Sequence, residues 1–284
     1  MSASNIARQS GPETDEYILG TDRDELERLR FQHQAWVKEF YELAETAGLG
    51  AGQCVLDLGC GPGWPSFELA HVVGPRGCVI ARDQSERFLA VVRHESARLG
   101  LRQVEASHGP VEGIALADGS LDAAYARWLF CWLPDPLLVL RQVARALRPG
   151  GVLLLQEYLD WGAMQLLPHC PAFARGVEAC LASWKAGGAT ISFAAEVPML
   201  APQAGLVIER LRPRARLGRV GSLEWRWLDQ FFRAYLPKVV ERGLLAPHEL
   251  EAWLEEWEGR TREGASFVAT PTMADVILRK PALC

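Results

Sequence analysis

The sequence predicts an α/β chain built on a doubly wound, mostly parallel sheet. Between residues 53 and 158, short apolar runs of strand length alternate with helix-length amphipathic stretches, the pattern of βαβ units. The run VLLLQ at 152–156 is apolar almost throughout, as a strand covered on both faces requires. The run CVLDL at 54–58 passes directly into a glycine turn that opens a helix. That turn would place a ligand at the carboxyl end of the first strand.

Composition agrees with an ordered globular protein. The chain has 284 residues, 49% hydrophobic and 23% charged, which excludes a largely disordered chain. With 35 acidic and 30 basic side chains the net charge is −5. That balance argues against a nucleic-acid partner, which demands concentrated Lys and Arg. Seven cysteines, an odd number with no CxxC pair, suggest neither a disulfide framework nor a metal site. No apolar run reaches a membrane span, and the first thirty residues mix acids with arginines. The expectation is a reduced, cytoplasmic protein with no membrane partner; oligomeric state is left open.

Residues 1–20 read as a leader. From 22 onward Leu26, Leu29, His33, Trp36, Val37, Phe40 and Ala44 recur at helical spacing, and Gly48 and Gly50 end the helix. Strands follow at 54–58, 77–82, 101–106, 121–127 and 152–158, with helices to about 73, at 85–99 and at 135–147; Pro149-Gly150-Gly151 closes the last helix. Beyond 160 the rhythm loosens into a helix at 173–184, strands at 206–211 and 273–279, and two intervening helical stretches. The expected organisation is an N-terminal leader and lid helix (1–50), a ligand-binding core (51–160), and a remainder (161–284) carrying a helical lid insertion at about 221–262.

The sharpest motif is Val55-Leu56-Asp57-Leu58-Gly59-Cys60-Gly61-Pro62-Gly63. Glycines let backbone N–H groups approach a ligand closely. Asp83 ends the second strand, where an acid accepts ribose hydroxyls. The third glycine arrives one place too early for a dinucleotide fingerprint, and Trp64 takes its position. Asp57 aims a carboxylate at the site, which would repel a pyrophosphate and attract an amino group. An NAD-dependent oxidoreductase is therefore disfavoured against a binder of a cationic, amino-bearing nucleoside.

VLDLGCGPG, Asp83, the DGSLD segment at 118–122 and LRPGG at 147–151 resemble the class I S-adenosylmethionine-dependent methyltransferases, within them the small-molecule branch that methylates quinones and sterols. The resemblance implies a Rossmann-like, seven-stranded sheet with one antiparallel strand near the C-terminus, and S-adenosyl-L-methionine as cofactor. It implies that Gly59, Gly61 and Gly63 frame the methionine portion, that Asp57 holds its amino group, and that Asp83 binds the ribose with Gln84 beside the adenine. Where the family carries a Gly-Asp pair before the fourth strand this chain has Gly109-Pro110, so the N–H of Val111 and the side chain of Glu112 are left to serve adenine. Arg127 and Trp128 follow the fourth strand, where the family contacts cofactor or substrate.

Methyl transfer from a sulfonium asks mainly for positioning and water exclusion, and aromatic faces favour a cation. Trp64, Trp128, Tyr158 and Trp161 stand at or just past predicted strand ends, where such a wall would rise. Tyr17, Trp36, Tyr41, Trp225, Trp227, Phe231 and Tyr235 would complete a pocket for a small hydrophobic or aromatic acceptor, of a kind met in secondary metabolism; packing alone is the rival role for each. If the acceptor must lose a proton, Glu157 at the end of the fifth strand is the first candidate base and His33 the second, with Asp160, His108 and His169 behind them. Arg210, Arg212, Arg214 and Arg216 alternate with apolar residues and read as a solvated edge-strand face rather than an anion site. Within the same fold, the alternative is a protein that binds the cofactor and catalyses a cyclisation or rearrangement.

Overall fold

The computed structural model describes residues 23–282. Helix α1 (Arg23–Thr46) leads into β1 (Cys54–Leu58), α2 (Trp64–Val73), β2 (Cys78–Asp83), α3 (Glu86–Leu99), β3 (Val104–His108), β4 (Leu121–Arg127), α4 (Pro136–Ala146) and β5 (Leu147–Asp160). Then come β6 (Gln165–Leu167), α5 (Pro171–Ala186), α6 (Val197–Gln203), β7 (Val207–Arg214), β8 (Leu217–Arg219), α7 (Leu223–Glu241), α8 (Pro247–Glu263), β9 (Phe267–Ala269) and β10 (Thr272–Arg279).

Seven strands form one sheet in the order β3-β2-β1-β4-β5-β10-β7. The first five run parallel, and β10 runs antiparallel between β5 and β7. Strand order reverses between β1 and β4, so the loops after β1, β2 and β4 border one crevice. Helix starts follow local chemistry. Ser85 accepts the Phe88 N–H at 3.3 Å, Asp135 accepts the Leu138 N–H at 2.9 Å ahead of Pro136, and Ser222 accepts the Trp225 N–H at 3.3 Å.

Apolar layers cover both faces of the sheet's centre, which is why β1, β4, β5 and β10 lack the polar alternation that the edge strand β7 shows. Val55 packs with Phe40, Leu43, Leu69 and Val73 from α1 and α2. Its neighbour Leu56 joins Val139, Leu140 and Val143 of α4 on the other side. Each such fully buried side chain stabilises the fold by roughly 1.5–3 kcal/mol. A third layer is aromatic: Trp36 of α1, Trp184 of α5, Trp225, Trp227 and Phe232 of α7, and Trp253 and Trp257 of α8. Helix α1 therefore serves twice, with Phe40 and Leu43 of its last turns on the sheet and Phe31, Ala35 and Trp36 of its middle in the aromatic layer.

Several expectations shift. The third strand starts at Val104 rather than 101, and β5 starts at Leu147, so Pro149-Gly150-Gly151 lies inside it with a register break opposite Leu121 and Ala123. A small antiparallel sheet, β6-β9-β8, was not foreseen, because three-residue strands carry no readable period. Nor was α6, whose segment contains Pro198 and Pro202. The arginine alternation on the edge strand β7 and just past it is only in part a solvated face. Arg214 bridges Asp275 at 2.6 Å and Glu42 at 2.7 Å. Arg216 donates to the Ala35 carbonyl at 2.6 Å, pairs with Glu224, and lies 4.8 Å over the Trp36 ring. Both tie α1 to the C-terminal half of the chain, while Arg210 and Arg212 are exposed. The leader, with Tyr17, lies outside the described residues, among which no helix is long and apolar enough to cross a membrane.

Candidate functional site

The crevice opens into one cavity of about 660 Å³. One end is polar. Asp57, next to last in β1, is 1% exposed and accepts the Ser66 hydroxyl at 2.5 Å. Burial pushes its carboxyl up to about 7; the Ser66 hydrogen bond and Arg127 oppose the rise, and Asp83 adds to it. Asp83 accepts the Gly61 N–H and the Ser85 N–H, each at 2.8 Å, leaving lone pairs for a further donor. Burial holds Asp83 above the usual carboxylate range. Gly61 adopts φ +54, with nothing within 4 Å of the place a Cβ would take. Its left-handed backbone turns the N–H to Asp83 and keeps the cavity wall bare.

Gly59, Gly61, Gln84, Val111 and Glu112 line this end. Gly63 does not. It caps α2 at φ +86, and a Cβ there would come 2.8 Å from Val92. The Gly109-Pro110 loop is ordered by a residue the sequence did not single out. Arg82 donates to the carbonyls of Pro110 (3.0 Å), His108 (3.2 Å) and Gly113 (3.2 Å) and to the Ser107 hydroxyl (2.9 Å).

Arg127 lines the cavity at the end of β4. Its Nη2 donates to His33 Nδ1 at 2.9 Å. That nitrogen must carry a lone pair, so the proton sits on Nε2, 3.3 Å from Glu68 Oε1. The Tyr41 hydroxyl donates to the other Glu68 oxygen. Burial depresses the His33 pKa, in keeping with the neutral ring. The Arg127 Nη1 group is buried with no partner among the described residues. His33 itself is 6% exposed and lies behind Arg127, off the cavity surface.

Glu157 also stands behind the wall. It is fully buried, and its Oε1 accepts the N–H groups of Leu129 and Phe130 at 2.8 and 2.9 Å. Burial pushes its carboxyl up to about 7. Neighbouring residues of a strand face opposite sides: Tyr158 lines the cavity and Glu157 does not. The expectation that a strand-end acid aims into the crevice missed that parity. Asp160, His108 and His169 are likewise absent from the lining.

The other end is aromatic. Trp128 holds φ +52, a conformation that costs a non-glycine residue on the order of 1 kcal/mol or more. It stacks on Tyr158 at 6.1 Å and on Trp227 at 6.0 Å, with the Arg127 guanidinium 4.8 Å from its ring. Trp161, Phe231 and Tyr235 line the chamber beyond, and Trp64 lines the glycine-loop side. Trp36 meets Trp128 and Trp227 edge-on from behind, 1% exposed and outside the lining. Trp225 stacks on Trp257 at 4.2 Å away from the cavity, and Tyr41 is exposed. Sequence reasoning missed Trp132, Ser183, Trp184 and Arg242 as lining residues. The only signal was Trp184 on the apolar stripe of its helix.

Comparison with known proteins places this geometry. Residues 56–155 match the family model described as a methyltransferase domain. The chain is 33% identical over 126 residues to demethylmenaquinone methyltransferase of Bacillus cytotoxicus, covering 44% of this chain and 52% of that protein. It is 36% identical over 115 residues to an uncharacterized transposon protein of Streptomyces fradiae, covering 40% and 32%. The match thus spans about half the length of the first relative and about a third of the second. Among solved structures, a candidate methyltransferase of Bacillus halodurans superposes with a TM-score of 0.61 at 20% identity, covering 86% of this chain and all of that one. The (4+2)-cyclase SpnF gives 0.57 at 21% identity, covering 87% and 82%; both show the shared fold. Motif, sheet order and family match converge: this chain carries a class I S-adenosylmethionine-dependent methyltransferase domain.

Proposed function

We propose that the protein transfers a methyl group from S-adenosylmethionine to a small hydrophobic or aromatic acceptor inside the cavity, in secondary metabolism and in the cytoplasm. The observation that carries the reading is the continuity of one cavity from the acid-and-glycine end to the aromatic chamber. The residues at the first end fit the cofactor. Arg127 Nη1 is a buried donor without a partner among the described residues, suited to the methionyl carboxylate. Asp57 supplies negative charge for the amino group, Asp83 keeps lone pairs for the ribose hydroxyls, and Gln84, Val111 and Glu112 border the adenine.

The bound cofactor would supply an already activated methyl on a sulfonium. The chain's part is to hold the acceptor in line and exclude water, with the faces of Trp128, Tyr158 and Trp227 favouring positive charge. Helices α1, α7 and α8 act as the lid, and residues 51–160 as the cofactor-binding core. With Glu157 and His33 behind the wall, the described residues at the aromatic end include no Asp, Glu or His. In this reading an acceptor that must lose a proton does so without a carboxylate or imidazole base from that wall. The same observation favours a second reading, in which the cofactor-binding frame serves a cyclisation or rearrangement.

Calorimetric titration with S-adenosylhomocysteine and with NADH tests the cofactor; binding of NADH in place of the former would overturn it. Methyl-labelled cofactor incubated with a panel of aromatic phenols, acids and quinols then separates transfer from an unlabelled rearranged product.

A further inference from the structure

At the far end of the aromatic chamber, three polar side chains meet that the cofactor does not use. Ser183 of α5 is 2% exposed and Tyr235 of α7 fully buried, their hydroxyls 3.0 Å apart. Arg242, the residue that ends α7, is exposed overall, yet its Nη1 donates to Ser183 Oγ at 2.9 Å and reaches Tyr235 Oη at 3.4 Å. All three line the cavity.

The cluster has more donors than acceptors. A guanidinium carries five N–H groups and accepts nothing, and each hydroxyl brings one more hydrogen. Within the cluster, the acceptors among the described residues are the two hydroxyl oxygens. Whichever hydroxyl donates to the other, one O–H and most of the guanidinium fork have no protein acceptor among the described residues. Arg242 forms no ion pair among them either; the carboxylates of the lining, Asp57, Asp83 and Glu112, belong to the glycine-loop end. One cavity thus presents three acids beside Arg127 at the glycine-loop end, and at the other end a guanidinium bonded to two hydroxyls and to no carboxylate, next to Trp184, which stacks on Tyr235 at 5.2 Å.

We propose that the acceptor is an organic anion, its aromatic or hydrophobic body in the tryptophan-lined chamber and its carboxylate on Arg242, Ser183 and Tyr235. The proposal rests on the reading of this end as the acceptor chamber. It makes Arg242 a specificity determinant: a carboxylate gains charge-assisted hydrogen bonds that a neutral amide of the same shape cannot match.

The probes are 2-naphthoate and 2-naphthamide, titrated calorimetrically into the full chain saturated with S-adenosylhomocysteine. The wild-type protein is expected to bind the acid about tenfold more tightly than the amide. In Arg242→Gln, at an exposed position, the preference should vanish while S-adenosylhomocysteine affinity stays unchanged; Arg242→Lys should keep part of it. Equal binding of acid and amide by the wild-type protein, no binding of the acid, or a preference that survives Arg242→Gln would each overturn the proposal. Acid preference in a protein that does not bind S-adenosylhomocysteine would support it and sink the cofactor reading instead.

Discussion

At the glycine-loop end of the cavity, the acids and glycines of the wall come from residues 57–127, carried on loops that leave adjacent parallel strands, while Arg28 and Gln32 of α1 add to the polar lining. At the aromatic end the wall comes from residues 128–242, supplied by the turn after β4, by β5, α5 and α7, and by the loops that follow β5 and α5. The first end is written in one contiguous stretch, because a strand-turn-helix unit sets ligand-binding groups only a few residues apart. The second is assembled by ring packing between helices remote in sequence, such as Trp184 on Tyr235 and Trp128 on Trp227. A ligand common to many proteins can be gripped by a local motif. A particular acceptor needs a chamber that each chain builds from its own helices; in the proposed reading the acids serve the shared ligand and Arg242 the particular one.

The contrast is most strongly tested at Asp83. Its two oxygens hold Gly61 and Ser85 in place, and in the proposed reading they also accept the ribose hydroxyls. Asp83→Ala is expected to weaken S-adenosylhomocysteine binding by roughly 100-fold, with naphthoate binding unaffected. Unchanged cofactor affinity in a folded variant would remove the ribose assignment.

Asp57 should give a smaller effect with a pH signature. With its carboxyl near 7, the site loses negative charge as pH falls, so S-adenosylhomocysteine affinity should drop between about pH 8 and pH 6, by at most about tenfold per unit. Asp57→Asn should flatten that slope. The unliganded fold moves the opposite way. A carboxyl whose pKa is raised on folding contributes stability below its ordinary value near 4 and loses it as pH rises through about 7. His33, with its lowered pKa, instead costs stability as pH falls below about 6.5. A titration followed by both binding and thermal midpoint separates these groups.

Glu157 sharpens the comparison from a different side. Glu157→Ala leaves the buried N–H groups of Leu129 and Phe130 without their acceptor, which should cost about 1–3 kcal/mol of stability. Cofactor affinity should change less than about threefold. A Glu157→Gln variant with an unaltered denaturation midpoint and abolished turnover would restore the base assignment.

How much of this was legible follows from the same division. The parallel strands, the glycine turn and Asp57 and Asp83 could be read because apolar runs and a local motif report on neighbours in sequence. Side-chain parity within β5 could not: Glu157 and Tyr158 look equally placed at a strand end, and only the folded sheet shows that Tyr158 lines the cavity and Glu157 does not. Gly63 was read as part of the ligand loop because spacing does not reveal that Val92 closes over it. Arg214 and Arg216 alternate like an exposed face, yet α1, far away in sequence, brings Glu42 and Glu39 to them. The Arg242 cluster has no sequence signature, since its members sit on two helices that meet only in the folded chamber.

The mildest test is Phe231→Leu. Phe231 is half-buried and touches Trp161, Trp184, Phe232 and Tyr235 at centroid distances from 5.2 to 5.9 Å. Leucine keeps apolar volume and loses the ring contacts, so stability should fall by no more than about 1.5 kcal/mol. Loss of a ring pair is worth about 0.5–1.5 kcal/mol, which predicts naphthoate binding weaker by about two- to tenfold. S-adenosylhomocysteine binding should stay within about twofold, because the glycine-loop wall draws nothing from α7. If cofactor affinity fell in step with naphthoate affinity, the two ends would be one coupled site, and the separation between a shared grip and a private chamber would be lost.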